Sequence, residues 1–204
     1  PSSIERSKIT QTAIHHPIII GIKGTYDDAN RLGILAAETF KWGLLNINVR
    51  PYYTEGSKTI AFEICEQLDW ASPDNIIVPM GSGALLCSVY RALKELEVID
   101  FLSDNTTRIS GAQPAGCAPI VESYSTNSEI FPIEHPNTIA KSLAIGNPAS
   151  GYDAIKHIKS TKGSTNAPTD SEIIDAIKLL AKTEGIYAEP AGAITLAALK
   201  NLIE

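Results

Sequence analysis

The residues best suited to chemistry in this sequence are three small ones in a row, Gly81-Ser82-Gly83. They follow the β-branched run Ile76-Ile77-Val78. They precede Ala84-Leu85-Leu86, from which apolar residues recur at helical spacing through Val89, Tyr90, Leu93 and Leu96. A strand, a small-residue turn and a helix in that order leave backbone N–H groups open at a helix N-terminus. There they combine with the positive end of the helix dipole to suit a phosphate. Glycine tolerates positive φ and close ligand approach, and the Ser82 hydroxyl adds a donor. The spacing is neither G-x-x-x-x-G-K-[ST] nor G-x-G-x-x-G. A second reading therefore stands beside the first, in which Gly81 and Gly83 serve only a tight strand-to-helix turn.

Three further groups carry chemical potential. Asn46 and Asn48 share one face of an expected strand, and Arg50 follows. Two amides and a guanidinium can hold an anion, the guanidinium in bidentate fashion; the alternative is a turn-forming Asn48 and a surface Arg50. Glu189 stands directly before Pro190-Ala191-Gly192-Ala193, a carboxylate at an expected helix N-terminus. It either caps that helix or, with small residues that admit a flat ligand, borders a site. Gly146-Asn147-Pro148-Ala149-Ser150 is either an ordinary turn or a site wall.

The elements that position these groups alternate in type. Residues 2–14 read as a helix and Pro17-Ile18-Ile19-Ile20-Gly21-Ile22 as a buried strand. Thr25 is an N-cap with Asp28 three residues on, opening a helix whose inner face is Leu32, Leu35, Ala36 and Phe40 and which Gly43 ends. Residues 44–48 read as a strand, 49–53 as a loop and 56–68 as a helix with Ile60, Ala61, Ile64, Cys65 and Leu68 inward. The strand at 76–78 and the helix at 82–96 come next, then a strand at 108–112. Residues 116–168, rich in Pro, Ser, Asn and Gly, are expected to form short helices and long loops, a stretch more often functional than filler. Thr169 with Glu172 at N3 and Gly185 after the end mark a helix, and Pro190 starts the last one. Such alternation implies an α/β fold with a mostly parallel, doubly wound sheet, whose ligands sit beyond the carboxyl ends of the strands. The polar segments 46–53, 80–84 and 112–117 fall at such ends, which favours a phosphate-bearing ligand.

Size and composition bound the function. The chain has 204 residues, 44% of them hydrophobic, and a net charge of −6 with pI about 5.3. The acidic balance gives no reason to expect nucleic-acid or anionic-membrane binding. No apolar run reaches the roughly 20 residues needed to span a bilayer. Cys65, Cys87 and Cys117 are far apart and read as buried thiols of a cytoplasmic protein. His15, His16, His135 and His157 make no metal-ligand pattern, so no metal is expected.

Several motifs together resemble the pyridoxal-phosphate (PLP) enzymes of the tryptophan synthase β-like fold, fold type II, and within them the threonine synthase family. They are Gly24-Thr25-Tyr26-Asp27-Asp28-Ala29, Asn46-Ile47-Asn48-Val49-Arg50-Pro51-Tyr52-Tyr53, Glu55-Gly56-Ser57-Lys58-Thr59, residues 78–85, Gly111-Ala112-Gln113-Pro114-Ala115-Gly116-Cys117, Gly146 to Ser150, and residues 184–193. The resemblance implies that Gly81, Ser82, Gly83, Ala84 and Leu85 hold the PLP phosphate with Glu189 nearby. It also implies that Asn46, Asn48 and Arg50 face the substrate, O-phospho-L-homoserine, which is converted with water to L-threonine and phosphate. Where some members carry an arginine for the substrate phosphate, this chain has Tyr53. The family's Schiff-base lysine, in an S-F-K-D-R-type motif, has no counterpart among the twelve lysines. The late Thr/Ser-Gly turn that meets the pyridine nitrogen has no counterpart either. The resemblance thus implies an incomplete fold: residues 1–53 part of the smaller domain, 54–204 most of the larger one, the piece inactive by itself and a homodimer compatible with it. Two alternatives remain: a threonine dehydratase-like deaminase, and a non-catalytic phosphate- or nucleotide-binding module.

Overall fold

The computed structural model describes residues 1–46, 51–102 and 106–203. The chain divides into two compact units, Pro1–Leu45 and Asn46–Glu204.

The first unit holds helices α1 (Arg6–Ala13) and α2 (Tyr26–Phe40), neither of which has a buried residue. Thr25 and Asp28 close a reciprocal capping box at the start of α2. The helix ends at Phe40, with Lys41 rather than Gly43 taking the left-handed turn (φ 58). The strand expected at 17–22 does not form: no pairing is present there and Ile18 is 93% exposed. A buried parallel strand needs partners along both edges, and a single bond from Ser2 N–H to the Ile22 carbonyl (2.7 Å) is the ladder-like contact this segment makes. Residues 44–46, the described part of the strand expected at 44–48, are not in strand conformation either.

The second unit is a three-layer sandwich. Its helices are α3 (Pro51–Gly56), α4 (Thr59–Gln67), α5 (Ala84–Val98), α6 (Pro119–Thr126), α7 (Gly151–Ser160), α8 (Asp170–Glu184) and α9 (Pro190–Ile203), with a 3₁₀ turn at Lys141–Leu143. Strands β1 (Asn75–Pro79), β2 (Arg108–Ala112) and β3 (Thr165–Asn166) form a parallel sheet in the order β1-β2-β3. Strand alternation sorts the two faces. Ile76, Val78, Met80 and Ile109 pack with Leu86, Cys87, Leu93, Ile120 and Ile158 on the α4–α7 side. Ile77 and Ala112 pack with Ile173, Ile194, Ala197 and Ala198 on the α8–α9 side. Gly111 gives Met80 its place, since a Cβ there would collide with the thioether.

The segment expected to loop at 49–53 instead starts α3 at Pro51, where a fixed φ and a missing N–H cost a first helical turn nothing. The helix expected at 56–68 begins at Thr59, and Ile60 and Leu68 are exposed where an inward place was expected; Ala61 and Cys65 are buried. The capping box of Thr169 with Glu172 and the left-handed Gly185 (φ 68) bound α8. No helix among the described residues is long and apolar enough to cross a membrane.

Candidate functional site: a phosphate loop braced by a second helix

The centre of the site is the turn between β1 and α5, at the carboxyl end of the sheet. Gly83 is the N-cap of α5 at φ 87, a conformation that side chains disfavour. Among the described residues no carbonyl or side chain accepts from the N–H groups of Ser82, Gly83, Leu85 or Leu86. Only the Ala84 N–H has a partner in the turn, a long 3.4 Å contact to Ser82 Oγ. An α-helix leaves its first N–H groups open, and here the open row carries the positive end of a 15-residue dipole.

The second wall is residues 142–154. A Cβ on Gly81 would lie 2.9 Å from Ile145 Cδ1, and one on Gly83 would lie 3.0 Å from both Ala154 Cβ and the Ser150 carbonyl oxygen. Ser150 N–H donates to the Ser82 carbonyl at 3.0 Å. Helix α7 then runs beside α5 in the same direction. Ser150 and Ala154 meet Gly83, and seven residues on, His157 stacks on Tyr90, seven after Gly83, with ring centroids 3.9 Å apart. Burial pushes the His157 pKa down, so the imidazole in this stack is neutral at pH 7. Two helix N-termini therefore meet at the loop. Beneath it Cys87 is fully buried, and burial with the nearby Asp153 carboxylate pushes its thiol up to about 11, which makes it inert as a nucleophile.

Glu189 precedes Pro190 at the start of α9; its side chain is exposed, and its backbone carbonyl accepts from Gly192 and Ala193 N–H at 2.9 and 3.0 Å. Ala191 of that turn belongs to the core cluster on the α8–α9 side of the sheet. Asn46 is half-buried at the start of the second unit, and Asn48 and Arg50 lie outside the described residues. The structure thus brings the Gly81–Leu85 turn against Ser150 of the 146–150 segment, while no contact ties Glu189 to that turn among the described residues.

A residue whose role the sequence did not disclose is Gln113, just past β2. Its Oε1 accepts from Ile120 and Val121 N–H at 2.8 and 3.2 Å, capping α6, and its buried Nε2 has no hydrogen-bond partner. Lys58 is another: 5% exposed, it bridges Glu55 (2.6 Å) and Glu95 (2.5 Å), and those hydrogen bonds raise its pKa. Glu95 is eleven residues down α5 from Ala84, about 16 Å at 1.5 Å per residue. Lys58 is therefore a charged brace remote from the loop.

A parallel α/β sandwich with an open N–H row at a strand-to-helix turn is an architecture for holding a phosphorylated ligand, and the comparisons with known proteins specify which. The chain belongs to the pyridoxal-phosphate dependent enzyme family, whose sequence model matches residues 1–204. Its fold is that of fold-type II members: the structure of maize serine racemase superposes with a TM-score of 0.77 over 98% of this chain and 57% of that one, at 24% identity. Threonine deaminase isoform 2 from Solanum lycopersicum gives 0.74 over 97% and 51%, at 21% identity. Among sequence relatives, threonine synthase of Methanocaldococcus jannaschii is 41% identical over 199 residues, 97% of this chain and 48% of that protein. Threonine synthase of Mycobacterium tuberculosis is 35% identical over 201 residues, 98% and 53%. The chain spans about half the length of the curated relatives it matches.

Proposed function

We propose that this chain supplies the cofactor-phosphate half of a PLP-dependent threonine synthase, which converts O-phospho-L-homoserine and water to L-threonine and phosphate. The observation that carries the proposal is the row of unpartnered N–H groups at Ser82, Gly83, Leu85 and Leu86 in a chain whose curated relatives are threonine synthases. The loop fits a phosphate: it offers donors without acceptors, and its glycines sit where a Cβ would collide with the bracing wall. Gly81, Ser82, Gly83, Ala84 and Leu85 would hold the cofactor phosphate and Glu189 would border the ring. Asn46, Asn48 and Arg50, in a smaller domain of residues 1–53, would face the substrate. Bound PLP serves as an electron sink for chemistry at the substrate's α-carbon. The larger part, residues 54–204, fixes the phosphate end so that the ring is presented in one orientation. A deaminase of the threonine dehydratase kind is the second reading, favoured by the fold shared with threonine deaminase.

The test is a chimera in which this chain replaces the matching 199 residues of the Methanocaldococcus jannaschii threonine synthase. It should bind PLP and form threonine with release of phosphate. A chimera that binds PLP, forms no threonine and releases ammonia from threonine would replace this reading with the second. The chain by itself should give no stoichiometric pyridoxyl-lysine after mixing with PLP and borohydride reduction, because none of its twelve lysines stands in the family's Schiff-base motif and the buried Lys58 is ion-paired away from the loop. One specifically labelled lysine would contradict that expectation.

A further inference from the structure

We infer that the backbone N–H of Ser150 is a positioning group for the cofactor phosphate, setting the direction in which the Ser82–Gly83 peptide presents its N–H. The inference rests on the reading of the Gly81 loop as a phosphate cradle.

The argument is geometric. In a trans peptide unit the C=O and the N–H point to opposite sides, and the chain has no cis bond among the described residues. Ser150 N–H holds the Ser82 carbonyl at 3.0 Å on the side of the α7 wall. The Gly83 N–H belongs to the same peptide unit and is therefore turned away from the wall, toward the open end of α5. With no carbonyl to accept it, that N–H is free for an anion. Left unheld, the same peptide can rotate by about 180°, a motion common at glycine turns because Gly83 accepts either sign of φ. A flipped peptide would direct the Ser82 carbonyl oxygen, an acceptor, at the phosphate. The wall opposes the flip twice, once through the Ser150 N–H and once through van der Waals contact. The Ser150 carbonyl oxygen and Ala154 Cβ occupy the space beside Gly83 Cα, 3.0 Å from where a Cβ would stand. Ser150 in turn is held at the N-cap of α7, where its own carbonyl accepts from Ala154 N–H at 2.9 Å. The Gly146-Asn147-Pro148-Ala149-Ser150 turn thus acts on the ligand through the loop. Its essential group is a main-chain donor, so the identity of the 150 side chain is immaterial.

The test compares equilibrium binding of PLP with that of pyridoxal, which lacks the phosphate, so that the ratio reads the phosphate's contribution alone. The wild-type chain should prefer PLP. Replacing Ser150 by its α-hydroxy-acid analogue turns the amide N–H into an ester oxygen with little change in backbone shape. This should cut the PLP-to-pyridoxal ratio by about tenfold, the size of one charge-assisted hydrogen bond, while pyridoxal affinity stays level. Ser150→Pro, which also deletes the N–H, should lower the ratio alike, and Ser150→Ala, which keeps it, should leave the ratio unchanged. An ester variant that retains the wild-type ratio overturns the inference alone. A wild-type chain that binds PLP and pyridoxal equally overturns the phosphate-cradle reading and the inference with it.

Discussion

Gln113 shows how one side chain can hold a site's surroundings. From a fully buried position its Oε1 takes both first-turn N–H groups of α6, Ile120 and Val121. Each buried N–H left without an acceptor costs about 1–3 kcal/mol. Gln113→Leu, which keeps the bulk, should therefore lower unfolding stability by about 2–4 kcal/mol. The denaturant midpoint should fall at unchanged m-value, and a loss under 1 kcal/mol would show that α6 is capped otherwise. No sequence signal announces this cap, because donor and acceptor are separated by seven and eight residues and the pattern matches no local capping motif. The Gly81-Ser82-Gly83 turn was legible, since positive φ and an open helix start both demand residues of that type. The segment ending at Ser150 was legible as a turn or a site wall but not as a donor, because its contribution is a backbone N–H that any residue but proline supplies.

At the scale of elements, those with local signals were readable and those that depend on partners were not. Helices α2 and α8 follow from their capping boxes and β1 from its β-branched run, which pairs in register with β2, Val78 opposite Gly111. Pro17-Ile18-Ile19-Ile20-Gly21-Ile22 has the same composition as a buried strand, yet it forms no strand pairing and makes one ladder-like bond, from Ser2 N–H to the Ile22 carbonyl. Strand β3 is two residues of polar sequence, Thr165–Asn166, held by β2 alone, so no pattern could predict it. The cap of α8 yields a pH prediction. Hydrogen bonds from the Thr169 hydroxyl, the Thr169 N–H and Asn201 lower the Glu172 pKa below 4.5. A carboxylate depressed in the folded state adds stability that is fully present above the unfolded pKa and is lost as pH falls through the folded one. Unfolding stability should therefore decline as pH drops below about 4.5, and Glu172→Gln should flatten that decline while costing about 1 kcal/mol at neutral pH. An identical acid slope in both proteins, measured by denaturant titration across pH 3 to 7, would remove Glu172 from the account.

The whole molecule consists of two units of unequal finish. Asn46–Glu204 carries the sheet, both core clusters and the phosphate loop, whereas the helices of Pro1–Leu45 bury nothing and leave Phe40, Trp42 and Leu45 exposed. The family model spans both units, residues 1–204, whereas the phosphate loop and its wall belong to the larger one. The central claim is that the N–H row at the head of α5 receives the cofactor's phosphate, and amide NMR tests it most directly. In a ¹H–¹⁵N spectrum of the labelled 204-residue chain, PLP should produce its largest amide-proton shifts at Ser82, Gly83, Leu85 and Leu86. Inorganic phosphate should shift the same four signals more weakly, and pyridoxal should leave them in place. Shifts that fall elsewhere, or that pyridoxal reproduces in full, would contradict the assignment of this loop.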